Sequence, residues 1–300
     1  MPSRSILALP FLLAPLAAGP VVVPVPALAQ SAGEAQLAPS GTRLAQEAPE
    51  LQAVFEAMGV YEILGVMSSE GLEAATGIED DMFPGQGGGA WRAVVAGIYA
   101  TDRMIARFED GVPVERMTPE IVAELQDFYD SPLGQRIARG EVEGRQALLD
   151  PGVEEAARAL ARQQAAEGTE RMELLRAFSV ANDFVERNVA GALNSNFAFY
   201  RGLSDGGAFE TEIPQELMLA EVWGQEAEIR RETTEWLFGY QVLAYEGLSD
   251  AEMARYVEMS ETEAGQVLNA VLFQAFDVLF DDVSYQLGKA AATFIAGEET

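Results

Sequence analysis

Beyond residue 49, apolar side chains recur every three to four positions through long proline-free intervals rich in Ala, Glu, Leu, Arg and Gln. That period and that composition predict helices from Leu51 onward, so the chain reads as all-α. Start signals are explicit in places. Thr118 is a good N-cap and Pro119 a good first helical residue, after which Ile121, Leu125 and Phe128 fall on one face. Ser131-Pro132 repeats the same signal, so one short helix ends near Tyr129 or Asp130 and another begins at once, carrying Leu133 and Ile137 inward.

The same pattern returns downstream. Residues 117–135 align without a gap on 248–266, an offset of 131 that sets Thr118 on Ser249, Leu125 on Tyr256, Gly134 on Gly265 and Gln135 on Gln266. In the second segment Ser249 and Glu252 form the two ends of a capping box, and Thr262 takes the place of Ser131. Glycine inside a helix costs about 1 kcal/mol relative to alanine, so its return at 134 and 265 predicts a close helix approach, with Gln135 and Gln266 placed to bind backbone across it. Upstream, Leu51, Phe55 and Tyr61 echo Leu174, Phe178 and Phe184 at an offset of 123. The expected architecture is a multi-helix bundle built from two tandem helical repeats. Its division is a signal peptide (1–29), a flexible linker (30–49) in which the segment after Gly41 is alternatively the start of a helix, repeat one (50–150), a connecting helix (151–171) and repeat two (172–300).

The run Phe128-Tyr129-Asp130-Ser131-Pro132-Leu133-Gly134-Gln135, preceded by Thr118-Pro119-Glu120, resembles the signature of a bacterial family of exported proteins, the domain of unknown function numbered 2059. The resemblance is clear over residues 117–138 and degenerate over 248–269, where Met259-Ser260 replaces Phe-Tyr and Thr262-Glu263 replaces Ser-Pro. It implies an all-helical exported protein and brings no catalytic residue with it.

The first residues agree with export. Arg4 precedes an apolar run opening at Ile6, and Ala27-Leu28-Ala29 supplies a small-residue site with cleavage expected after Ala29. Prolines at 10, 15, 20, 24 and 26 argue against a retained anchor, because each removes a helix hydrogen bond that lipid does not replace. No stable membrane insertion is expected after cleavage, and the localisation is periplasmic or secreted. With no cysteine, a disulfide framework and lipid attachment at cysteine are both excluded. A formal charge of -29 makes nucleic acid and anionic membranes poor partners.

The chain contains no histidine either, which removes Ser-His-Asp and Cys-His catalysis and zinc sites built from His or Cys. Two acidic clusters, Glu79-Asp80-Asp81 and Asp277-Asp281-Asp282, are candidates for calcium, and a carboxylate pair is what glycan hydrolysis needs. Gly85-Gln86-Gly87-Gly88-Gly89 superficially suggests a phosphate loop but lacks a preceding strand and a Lys-Ser/Thr. A helix expected from 264 to 287 carries a wide apolar stripe through Leu268, Val271, Leu272, Ala275, Phe276, Leu279, Phe280 and Val283. With Phe273 and Tyr285, part of it offers a groove for an apolar ligand or partner helix. The expectation is therefore a non-catalytic binding or protein-interaction role with no cofactor. An enzyme acting on cell-envelope glycans and a calcium-stabilised structural module are the alternatives.

Overall fold

The computed structural model describes residues 41–297 apart from 210 and 212. The expected signal peptide and the first part of the linker, residues 1–40, lie outside the described residues. All regular structure among the described residues is helical: fourteen α-helices and one 3-10 turn at Val114–Arg116. They are α1 (Arg43–Glu47), α2 (Pro49–Ala57), α3 (Val60–Met82), α4 (Gly88–Ile98), α5 (Thr101–Asp110), α6 (Pro119–Tyr129) and α7 (Pro132–Ala147), followed by α8 (Pro151–Glu167), α9 (Glu170–Ala181), α10 (Phe184–Asp205), α11 (Gln215–Trp223), α12 (Glu226–Ala244), α13 (Asp250–Glu261) and α14 (Glu263–Ala296).

The pairings of the first seven helices reappear among the last seven. As α2 packs on α6, α9 packs on α13; α3 packs on α7 and α10 on α14; α3 meets α5 as α10 meets α12; and α1 meets α5 as α8 meets α12. The halves also exchange contacts, α5 lying against α14 and α12 against α7. Within the expected connecting segment 151–171, α8 packs on α12 as α1 packs on α5. The second part of the linker, residues 41–49, is ordered rather than flexible. Thr42 caps α1, Leu44 is fully buried, and the Leu44 amide donates to Glu109 Oε2 at 2.9 Å.

The corners between α6 and α7 and between α13 and α14 are closed by the same bonds. Ser131 Oγ donates to the Phe128 carbonyl at 2.6 Å and accepts from the Gly134 amide at 3.1 Å. Thr262 Oγ1 donates to the Met259 carbonyl at 2.9 Å and accepts from the Gly265 amide at 3.1 Å. Such caps contribute about 1 kcal/mol each. The two glycines serve the corner itself: a Cβ at Gly134 would overlap the Phe128 carbonyl, and one at Gly265 the Met259 carbonyl. Gln135 donates to the Asp130 carbonyl at 3.3 Å, whereas Gln266 reaches Ser260 at 2.7 Å and, across to α9, Ala181 at 3.0 Å. The α2–α3 and α9–α10 junctions also match, each turning on one left-handed residue, Gly59 (φ 73°) and Asp183 (φ 55°). These lie 124 residues apart, so the upstream echo is shifted by one from the expected 123. The shift sets buried Leu51 and Val54 on buried Leu175 and Phe178.

Two apolar cores result, and neither follows the chain division. The larger joins α1–α6 to α10, α11, α14 and, through Ile229, the start of α12; the smaller joins α7, α8 and α9 to the rest of α12 and α13. The helices α10 and α14 touch backbone to backbone: a Cβ at Gly202 would overlap the Tyr285 carbonyl and one at Gly288 the Phe199 carbonyl. That contact carries α14 through Gly288 and past the expected end at 287 to Ala296.

Candidate functional site

A cavity of about 310 Å³ lies between the two sets of helices. Both halves line it with positions that correspond: Ile63 with Arg187 and Met67 with Gly191 at the offset of 124, Glu141 with Leu272 and Arg145 with Phe276 at the offset of 131. The cavity thus sits where the halves face each other. Its wall is mainly apolar and aromatic, with a small number of polar groups, the usual composition of a small-molecule site. Of the stripe expected on α14, Leu272, Phe276 and Phe280 reach this wall together with Phe273, Leu268 sits in both wall and core, and Val271, Ala275, Leu279 and Val283 are buried in the core instead. Tyr285 does not join them; its hydroxyl donates to Asp205 at 3.0 Å on the other side of the bundle.

Glu141 on α7 is the polar centre of the site. Its Oε1 accepts from the Tyr245 hydroxyl at 2.7 Å and from the Tyr256 hydroxyl at 2.9 Å, while the Tyr240 hydroxyl donates to its backbone carbonyl at 3.1 Å. The residue is partly buried and lines the cavity. Loss of water pushes its pKa from 4.5 up to about 7, against the pull of the two tyrosine hydrogen bonds. Burial and then the Glu141 charge raise Tyr129, Tyr240, Tyr245 and Tyr256, so all four remain protonated donors. Phe178 packs on two of these rings, 4.6 Å from Tyr256 and 5.8 Å from Tyr245.

Two arginines share the wall. Arg145 grips Glu70 through Nε at 2.8 Å and through its second nitrogen, and lies 4.8 Å over the Trp236 ring. Trp236 in turn stacks on Tyr240 at 5.4 Å. Arg187 lies 5.4 Å over Phe273, with Asp183 at 4.0 Å and Asp277 close enough to feel its charge.

Of the motif residues, Tyr129 and Gly265 line the cavity and Phe128 stacks on Tyr256 at 6.0 Å, whereas Thr118, Ser131, Pro132, Gly134, Gln135, Ser249 and Gln266 cap or close corners. The acidic clusters do not assemble as expected for calcium. Asp282 pairs with Arg103 and Arg107 at 3.4 and 3.3 Å, and Glu79 Oε1 accepts from the Gly87 and Gly88 amides at 3.1 and 2.7 Å. Among the described residues no group of three or more acids is arranged to hold a metal ion. The same Glu79 contacts occupy the amides of the glycine loop. Asp277 and Asp281 are half-buried one turn apart, and burial followed by the Asp277 charge lifts Asp281 to about 6. Because they project from the same helix face, they lie side by side rather than opposed across a sugar.

Sequence reasoning missed Glu141 and its tyrosines. The gapless alignment ends at 135 on 266, yet six residues further it sets an acid, Glu141, on Leu272. A charge placed where the matching segment has a leucine was the available signal. None of the described helices is long and apolar enough to cross a membrane. No family model, no curated protein and no solved structure matches this chain.

Proposed function

We propose that the chain is an exported, periplasmic member of the family defined by domain of unknown function 2059, built by tandem duplication, and that it acts by binding rather than catalysis, holding an apolar ligand between its two halves. The single observation that carries this reading is the 310 Å³ cavity with an aromatic wall and one hydrogen-bonded carboxylate. Duplication is supported by the equivalent corners at Ser131 and Thr262, the matching left-handed residues Gly59 and Asp183, and the recurring helix pairings. It also accounts for where the cavity lies, since two copies of one packing unit facing each other leave space where their corresponding residues meet.

The test is titration of the native protein with a fluorescent apolar probe. Saturable emission with a stoichiometry near one, lost on unfolding, is expected; emission that appears only as the protein unfolds would contradict the proposal. Export is checked separately by sequencing the N-terminus of the protein recovered from periplasm, which should begin at Gln30.

A further inference from the structure

We infer that the ligand is a hydrophobic organic ammonium ion, its apolar body along the cavity and its nitrogen against Glu141. This rests on the ligand-binding reading above and narrows it to one chemical class. The geometry begins with the unequal use of the carboxylate. Oε1 accepts both tyrosine hydroxyls, while Oε2 accepts no hydrogen bond from any described residue and is not sealed from the cavity. A ligand N–H supplies the donor that Oε2 lacks, and a charged one gives the stronger bond.

The surroundings favour a cation in three further ways. Tyr129, Phe178, Tyr245 and Tyr256 gather around the carboxylate, and electron-rich ring faces attract an ammonium that has left water. Arg145 is held by Glu70, and Arg187, whose Nε makes no hydrogen bond, has Asp183 at 4.0 Å and Asp277 near enough to feel its charge, so Glu141 is the acid in the wall without a cationic partner. The chain as a whole carries -29 and attracts cations before contact. An anion meets the Glu141 carboxylate, the ring faces and the overall charge unfavourably, and its one attraction in the wall is Arg187.

The packing does not require this polar group. At the corresponding positions of the other half, Leu272 stands for Glu141 and Leu125 for Tyr256, and both lie in apolar surroundings. A fold that accepts leucine there has no structural need for a carboxylate and the tyrosine that holds it.

The experiment is isothermal titration of the whole protein with decylamine, decanol and decanoate at about pH 8, where the amine is protonated. Decylamine is expected to bind about tenfold tighter than decanol, with decanoate weakest. In Glu141→Gln, whose folding is checked by circular dichroism, decylamine should fall to the affinity of decanol while decanol itself is unchanged. Decanol binding as tightly as decylamine in the native protein, or decanoate binding best, overturns the ammonium assignment and leaves the apolar cavity standing. An amine affinity unmoved in a folded Glu141→Gln protein overturns the role of that residue. Failure of all three compounds to bind overturns the ligand-binding reading as well.

Discussion

Replacing Glu141 by glutamine should stabilise the protein, and only above a definite pH. A carboxyl whose pKa is higher in the folded state than in the unfolded one binds its proton more tightly when folded. Stability is therefore lost as pH rises from the unfolded value through the folded one, and no more is lost above it. For Glu141 that window runs from 4.5 to about 7, and the full cost on passing it is about 3 kcal/mol. Glutamine keeps an oxygen for the hydroxyls of Tyr245 and Tyr256 but has no charge to desolvate. Urea unfolding followed by circular dichroism at a series of pH values measures the difference directly. Near pH 4, where both side chains are neutral, Glu141→Gln and the native protein should unfold alike; at about pH 8 the variant should be more stable by about 2–3 kcal/mol. Asp281 is also lifted by burial, but it is present in both proteins and cancels. A gap that does not change with pH, or a native protein more stable than the variant at high pH, would refute the reasoning.

Other outcomes follow from the corners and the cavity. Gly134→Ala and Gly265→Ala should each lower stability by about 1–3 kcal/mol in thermal unfolding, because the new Cβ meets a carbonyl; a gain of about 1 kcal/mol, as alanine gives in an open helix, would contradict that contact. Ser131→Ala and Thr262→Ala should each cost about 1 kcal/mol by the same measurement, the two losses being similar because the bonds are the same. Met67→Trp, which fills the cavity from its apolar side, should weaken probe binding by about tenfold or more while the protein keeps a cooperative unfolding transition. Decylamine affinity should fall as pH is lowered from about 8 to 6, as Glu141 gains its proton; the other groups around it, Tyr129, Tyr240, Tyr245, Tyr256 and the Arg145–Glu70 pair, are donors or already paired.

Local structure was readable because its causes are local. Thr118, Ser131 and Ser249 cap helices in the sequence positions where a cap belongs, and the recurrence of Gly134 and Gly265 marked a feature that proved to be the corner itself. The packing of the segment at 151–171 was less legible. Nothing in α8 resembles α1 residue by residue, and only the shared packing on α12 and α5 reveals that they hold the same place. Residues 41–49 are polar enough to pass for linker, and what orders them is Glu109, distant in sequence, which holds the Leu44 amide.

The site was harder to see, because a cavity between halves is a property of the assembly and of no single segment. The apolar face of α14 was visible as a stripe, and Leu272, Phe276 and Phe280 do meet the cavity, but Tyr285 is carried away from it by the helical rotation between them. Glu141 looked like one acid among many in a chain that holds 48. Its meaning comes from Tyr245 and Tyr256, more than a hundred residues away in sequence, and from the leucine that fills its place in the other half.

The most direct test of the account is a crystal structure of the protein grown with decylamine. It should show one molecule inside the cavity between α7 and α14, its nitrogen within hydrogen-bond distance of Glu141 Oε2 and its chain along Leu272 and Phe276. Decylamine found only on the outer surface, with the cavity free of it at saturating concentration, would contradict the claim that the two halves enclose a ligand site.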